Sequence, residues 1–268
     1  MSDNSTSRHV FVGLSAVVTG AGQGIGAAIA KGLARRGAHV VLNGRRRATL
    51  EAVCREIGAE GGSADCRVGD VTDLEHLEEL MALAAGGQDG TLDILVNNAG
   101  IAGPTKPLAE VTLEEWNETL AVNLTGVFLA CKAALPYLQR GEHGKIVNIG
   151  SVTGKQPLPN RSPYAAAKLG VVGLTRTLAH EVGRSGVSVN LISPWLVEND
   201  RLGDVLVSMS KERGMSPDQL RAEMTEGTAF KRTVSEADVV GTVLFLSSPA
   251  ADNLTGQDIN VAAGAVMY

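Results

Sequence analysis

Short apolar runs alternate with longer amphipathic segments from one end of the chain to the other. Residues 14–19, 38–42, 64–68, 92–96, 145–149, 187–192 and 257–261 read as strands. Between them, residues 24–36, 46–57, 73–85, 113–138, 162–184 and 235–246 repeat apolar positions at helical spacing, with Pro136 near the end of the longest. Strands that are nearly continuous apolar runs are covered on both faces, which predicts a parallel sheet between two layers of helices. Strict alternation of strand and helix, with no linker rich in Pro, Gly or Ser, predicts an α/β fold built on a single doubly wound sheet. One domain is expected over residues 11–268, with residues 1–10 as a flexible polar tail.

The rhythm breaks over residues 194–230. A structureless stretch of that length is unusual inside a compact domain, so short helices are expected there. Ser216-Pro217-Asp218-Gln219 supports one, with Ser as cap, Pro at the first helical position and Gln three residues past the cap. An inserted helical segment beside the carboxyl edge of a sheet, here about residues 195–230, is expected to act as a lid.

Composition removes several functions from consideration. With 24 Lys+Arg against 29 Asp+Glu the net charge is −5, which gives no broad footprint for nucleic acid or an anionic membrane. No run of about 18 uninterrupted apolar residues is present, and the polar residues 1–8 carry no signal-peptide pattern. Cys54, Cys66 and Cys131 form no Cys-x-x-Cys pair and fit reduced thiols of a cytoplasmic protein. The five histidines lack ligand spacing, so no metal is expected. Against 3% aromatic residues stand 32 glycines, which favour tight turns over aromatic pockets.

Those glycines concentrate where chemistry is expected. Thr19-Gly20-Ala21-Gly22-Gln23-Gly24-Ile25-Gly26 joins the first strand to the first helix. Glycine lets backbone turn through positive φ and approach a ligand closely, and the helix beyond aims free N–H groups and its positive end at the turn. A dinucleotide pyrophosphate suits that place. The second strand ends Asn43-Gly44-Arg45-Arg46-Arg47, with no carboxylate before Glu51 to accept from a ribose 2′-hydroxyl. A small Gly44 and the fork of Arg45 suit a 2′-phosphate, which favours NADP over NAD.

Three more groups fall at strand ends: Asn97-Asn98-Ala99-Gly100, Ser151, and Tyr164 with Lys168 one helical turn on. Tyrosine ionises near pH 10, too high for a base at neutrality. A neighbouring ammonium favours the phenolate and brings it toward the working pH, while Ser151 can hold a substrate oxygen.

Taken together these pieces resemble the short-chain dehydrogenase/reductase family in its shorter branch, over about residues 14–261. They are the glycine turn, Asp70-Val71, Asn97-Asn98-Ala99-Gly100, Asn123 in Val122-Asn123-Leu124, Ser151, and Tyr164 four residues before Lys168. The resemblance implies a Rossmann fold and a hydride transfer between a nicotinamide and a secondary alcohol/ketone pair, with NADPH-dependent ketone reduction favoured. It implies Tyr164 as general acid/base, Lys168 on the phenol and the nicotinamide ribose, Ser151 orienting the substrate, and Asn123 holding a water in a proton relay from Lys168. It also implies a cofactor lying along Gly20, Gln23, Gly24, Ile25 and Gly26, then Gly44 and Arg45, then Asp70 and Val71. Beyond these the cofactor would meet Asn97, Ala99 and Gly100, and then Pro194, Leu196, Val197 and Asn199.

The chain departs from the family pattern in two places. Trp195 stands where Gly usually follows Pro194, and Asn199 where a Thr binds the carboxamide. Trp195 can pack beneath the lid or wall the pocket. Asn260-Val261-Ala262-Ala263-Gly264 lacks the usual acidic residue. Substrate contacts are expected from Ser151, Thr153, Tyr164 and Trp195, flanked by Val152, Gln156, Leu158 and residues 202–209. The helices at 113–138 and 162–184 are apolar beyond one stripe, which points to a second partner for each, and the resemblance implies that they pair across a twofold axis in a homodimer or homotetramer. Two alternatives stay open: an NAD-dependent alcohol dehydrogenase of the same family, and a catalytically silent nucleotide-binding scaffold.

Overall fold

Among the described residues seven strands pair in parallel: β1 (Ser15–Val18), β2 (His39–Gly44), β3 (Ser63–Val68), β4 (Ile94–Asn97), β5 (Lys145–Ile149), β6 (Ser188–Pro194) and β7 (Asp258–Val261). They lie in the order β3-β2-β1-β4-β5-β6-β7. The computed structural model describes residues 10–86, 90–142 and 144–268, without the side chains of residues 200 and 201. The expected tail, residues 1–10, lies outside the described residues save Val10, which is exposed.

Helices cover both faces of the sheet, and successive strand residues go to opposite faces. Ala16, Val18, Val40, Leu42, Ile94 and Val96 join one core with helices α1 (Gly24–Ala34), α2 (Arg47–Ala59) and α9 (Glu236–Leu246). Val17, Val41, Leu95, Ile146 and Leu191 join the other with α3 (Leu74–Ala85), α5 (Gly126–Leu138) and α6 (Ser162–Val182). This is why the strands read as unbroken apolar runs. The order reverses between β1 and β4, so their carboxyl ends open a crevice, the place where doubly wound sheets take ligands.

The helix expected over residues 113–138 is not uniform. It consists of α4 (Leu113–Leu120), a π-helical turn (Ala121–Thr125) and α5. A π turn inserts one extra residue without any Gly or Pro to announce it, and here it carries the fully buried Asn123. Taken as one unit the stretch is long and apolar enough to cross a membrane, with mean hydropathy 1.4. Its Val127, Ala130, Cys131, Ala134 and Leu138 instead pack in the core of the fold.

The expected helices of the 194–230 segment are α7 (Asp200–Arg213) and α8 (Pro217–Glu226). Ser216 caps α8 in the reciprocal arrangement with Gln219 that the sequence suggests. Leu196, Leu202, Leu206, Met209 and Leu220 give the segment a small core of its own.

Candidate active site

A cleft of about 820 Å³ opens over the β1–β4 crevice, within the range of small-molecule and cofactor sites. Its floor is backbone. Gly20 and Gly24 sit at φ +64° and +54°, and a Cβ on Gly26 would meet the Gly20 carbonyl oxygen at 2.3 Å and Asn98 Nδ2 at 2.4 Å. Gln23 precedes α1 without a side-chain cap, so the first N–H groups of the helix face the cleft. Asn98 staples the turn in place, donating from Nδ2 to the carbonyls of Thr19 and Gly20 at 3.1 Å each. Thr19 Oγ1 returns the link by accepting from the N–H groups of Asn98 (3.0 Å) and Ala99 (3.1 Å).

At the carboxyl ends of β2 and β3 the cleft is lined by Gly44, Arg45, Arg46, Asp70 and Val71. Arg45 Nη1 lies 3.9 Å from Asp70 Oδ2, and Arg46 donates to Gln23 Oε1. Below this end, Asn43 Nδ2 donates to Nε2 of the buried His76 (2.8 Å). Burial, with the Arg67 charge second, pushes the His76 imidazole below its usual pKa. Glu198 and Glu236 stand at the opposite rim. Hydrogen bonds from Thr233 and then Arg221 hold the Glu198 carboxyl below the usual carboxylate range, and Arg221 meets both its oxygens at 2.5 and 2.7 Å.

The cleft adjoins a second cavity of about 160 Å³, the two sharing Ile25, Asn98 and Asn199 as walls. Ser151, Thr153, Tyr164, Lys168 and Trp195 all line it. Ser151 Oγ accepts from the Thr153 N–H at 3.2 Å, which leaves its own proton to donate to a substrate oxygen. Lys168 Nζ donates to the Ile149 carbonyl at 2.7 Å and lies 5.8 Å from the centre of the Tyr164 ring. Leu158, Leu202, Val205, Leu206, Met209 and Met224 make the far wall apolar.

Most of the expected residues meet at these two cavities, with exceptions. Asn97, expected at the cofactor, is buried and turned to the α5 side of the sheet, donating to Asn148 Oδ1 at 2.9 Å. Strand alternation carries it away from the cleft and brings Asn98 to it. Asn123 lines neither cavity. Its side chain clamps Ile101, accepting from the N–H and donating to the carbonyl at 3.0 Å each. It stands behind Gly100, where a Cβ would come 2.6 Å from Asn123 Oδ1 and 3.9 Å from Lys168 Nζ. Val152 is buried and Gln156 exposed, and neither lines the substrate cavity. Trp195 lines the small cavity and packs against the cluster of Leu196, Leu202 and Leu206.

Asn199 Oδ1 accepts from the Leu202 N–H at 3.1 Å, so this residue caps α7 as well as lining both cavities. Thr49, Glu198, Glu236 and Arg161 were not expected at the site. The first three carry no motif; Arg161, just before α6, reads as an ordinary surface charge.

A family model described as short chain dehydrogenase matches residues 15–206. A 3-oxoacyl-[acyl-carrier-protein] reductase of Synechocystis sp. is 36% identical over 255 residues, 94% of this chain and 97% of the relative. A D-beta-hydroxybutyrate dehydrogenase of Rhizobium meliloti is 35% identical over 253 residues, 93% of this chain and 97% of the relative. Among solved structures, an actinorhodin polyketide ketoreductase variant with NADPH superposes with a TM-score of 0.90 at 35% identity, covering 95% of this chain and 98% of that one.

Proposed function

The chain belongs to the short-chain dehydrogenase family, and from that premise we propose that it is an NADPH-dependent ketoreductase. It is an oxidoreductase of alcohol/ketone pairs that uses a nicotinamide dinucleotide. The observation that carries the finer reading is the junction of the two cavities. Ser151, Tyr164 and Lys168 converge in a small apolar cavity that opens through Asn98 and Asn199 into a glycine-floored cleft.

A bound nicotinamide supplies the hydride. Ser151 donates a hydrogen bond to the substrate oxygen and holds the carbonyl beside Tyr164. Tyr164 gives its phenolic proton to that oxygen as negative charge develops on it, and takes the proton back in the reverse direction. Lys168, pinned by the Ile149 carbonyl, supports the phenolate so formed. Asn123 fixes the 98–101 loop through its two hydrogen bonds to Ile101, from behind Gly100. The apolar wall excludes bulk water and takes the carbon skeleton of the ketone. Arg45 and Arg46 at the adenosine end suit a 2′-phosphate, and Gly44 leaves room for it. The similar proteins are named for a 3-oxoacyl-[acyl-carrier-protein], for D-beta-hydroxybutyrate and for a polyketide, all of which fit a ketone/alcohol pair as substrate.

The same proposal makes residues 11–268 one catalytic domain with 195–230 as its lid, in a cytoplasmic enzyme. It also makes the protein a homodimer or homotetramer, supported by Leu113, Phe128 and Leu169 exposed on α4, α5 and α6. Light scattering that returns the monomer mass of 27.8 kDa would reject self-association.

Nicotinamide fluorescence during titration with NADPH and NADH tests the cofactor assignment. Tight NADPH with weak NADH is expected. The reverse preference overturns the role of Arg45, and binding of neither overturns the enzymatic reading.

A further inference from the structure

The residue preceding α6 places a second cation on the reacting tyrosine. Asn160 adopts φ +64°, and its carbonyl accepts from the Lys106 N–H at 3.1 Å. This turn sends the side chain of Arg161 inward, where it is only 4% exposed. Arg161 Nη1 donates to Thr105 Oγ1 at 3.0 Å, and its guanidinium carbon lies 4.8 Å from the centre of the Tyr164 ring. A long cationic side chain is seldom buried without a task that repays its desolvation.

The guanidinium lines the substrate cavity beside Ser151 and Leu158. Among the described side chains that line this cavity are two cations, Arg161 and Lys168. On the flanking loop and α4, Lys106 and Glu115 are paired with each other at 2.7 Å, while Glu114 and Glu118 are exposed. Two cations thus lie on the Tyr164 ring, and each favours the phenolate over the phenol.

We propose that Arg161 is a positioning residue for Tyr164, holding the ring by stacking on it and helping Lys168 to stabilise the phenolate. The proposal rests on the reading of Tyr164 as acid/base. It adds that the tyrosine is braced between two cations rather than served by one. It also ties the loop after β4, through Thr105, to the reacting group.

The test needs no substrate, because the chain holds just three tyrosines, Tyr137, Tyr164 and Tyr268. Tyrosinate absorbance is followed as pH rises, and the trace of Tyr164→Phe is subtracted to isolate residue 164. In Arg161→Gln the midpoint of Tyr164 should move up by about one pH unit, the lower end of what an opposite charge at this range produces. Arg161→Lys should recover part of that shift. An unmoved midpoint in an Arg161→Gln protein that still binds NADPH overturns the proposal. If Arg161→Gln does not fold, Thr105→Val frees the guanidinium from its anchor, and a smaller upward shift is expected; an unmoved midpoint there overturns the proposal equally. Failure of the acid/base reading is distinct, since it would appear as turnover persisting in Tyr164→Phe.

Discussion

On the β1–β4 side of Asn199 the floor of the site is main chain, and beyond it the wall is mostly apolar side chain. Gly20, Gly24, Gly26 and Gly100 bring backbone to the surface of the large cleft, where an added Cβ at Gly26 or Gly100 would strike backbone or a buried amide within 2.6 Å. The small cavity is walled by Leu158, Leu202, Leu206, Met209 and Met224, contributed by the loop after β5 and by α7 and α8. A backbone wall has no room for an added Cβ, so a change of residue at Gly26 or Gly100 disturbs it. A side-chain wall can be rewritten without touching the sheet. In the proposed reading the seam holds the reacting groups, with Tyr164 and Lys168 on α6, which packs against β6 and so takes its position from the rigid part.

The seam should break first and most completely. Tyr164→Phe removes one oxygen and is expected to lower turnover by roughly 10²–10⁴-fold, the usual worth of a general acid/base. Its NADPH affinity should match the unaltered protein in the fluorescence titration. Gly26→Ala is the opposite break. Its new methyl overlaps the Gly20 carbonyl, so dinucleotide binding should fall at least tenfold and stability by about 1–3 kcal/mol, as overpacking does. Denaturant melts and the same titration check both, and equal losses of binding in the two variants would erase the contrast.

Leu206→Ala breaks only the side-chain wall. Leu206 is nearly fully buried in the small lid core, and truncation there should cost about 2 kcal/mol, the lower end for buried leucines because this core can collapse. The KM for a small ketone should rise while larger ketones become better substrates. NADPH affinity should not move, and a shift in it would show that the two walls are one unit.

What was readable in the sequence follows the same division. Strand ends and the glycine turn are legible because each position demands one residue type for a local reason: positive φ, close approach, or a free helix end. The Ser216 cap was legible on the same grounds. The π turn at residues 121–125 was not, since it is a hydrogen-bond shift with no compositional mark. Asn97 and Asn98 could not be ranked, because which of two adjacent amides faces the cleft depends on where β4 ends. Arg161 was invisible for a third reason: its burial depends on the Asn160 turn and on Thr105, 56 residues away.

Arg45→Ala sharpens the cofactor half. The guanidinium lines the cleft at the end of β2 and now faces Asp70 at 3.9 Å. Losing a charge-assisted contact to a 2′-phosphate should weaken NADPH about tenfold, at the low end for such hydrogen bonds because the group is exposed. NADH affinity should stay level, since it carries no such phosphate. Parallel titrations of the two nucleotides read the ratio directly, and an unchanged ratio would move the assignment to Arg46.

The smallest effect concerns His76, beneath the cleft at Asn43 and Gly69. A Cβ on Gly69 would lie 2.2 Å from the imidazole, so the ring fills the space under that turn. Its folded pKa is depressed, chiefly by burial and then by Arg67, below the ordinary 6.5. Above pH 6.5 the ring is neutral folded and unfolded, and it contributes nothing to the pH dependence. As pH falls below that value the unfolded chain takes up a proton that the folded ring resists. The unfolded state then binds more protons, and stability falls with pH until the depressed folded pKa is reached. Protonation also removes the lone pair on Nε2 that accepts from Asn43. Thermal melts between pH 7.5 and 5.5 should therefore show a decline that is smaller in His76→Gln, whose amide keeps a partner for Asn43 and cannot titrate. Identical slopes in the two proteins would mean that the floor of the cleft does not couple to pH, and that the contrast between its rigid and adaptable walls holds across that range.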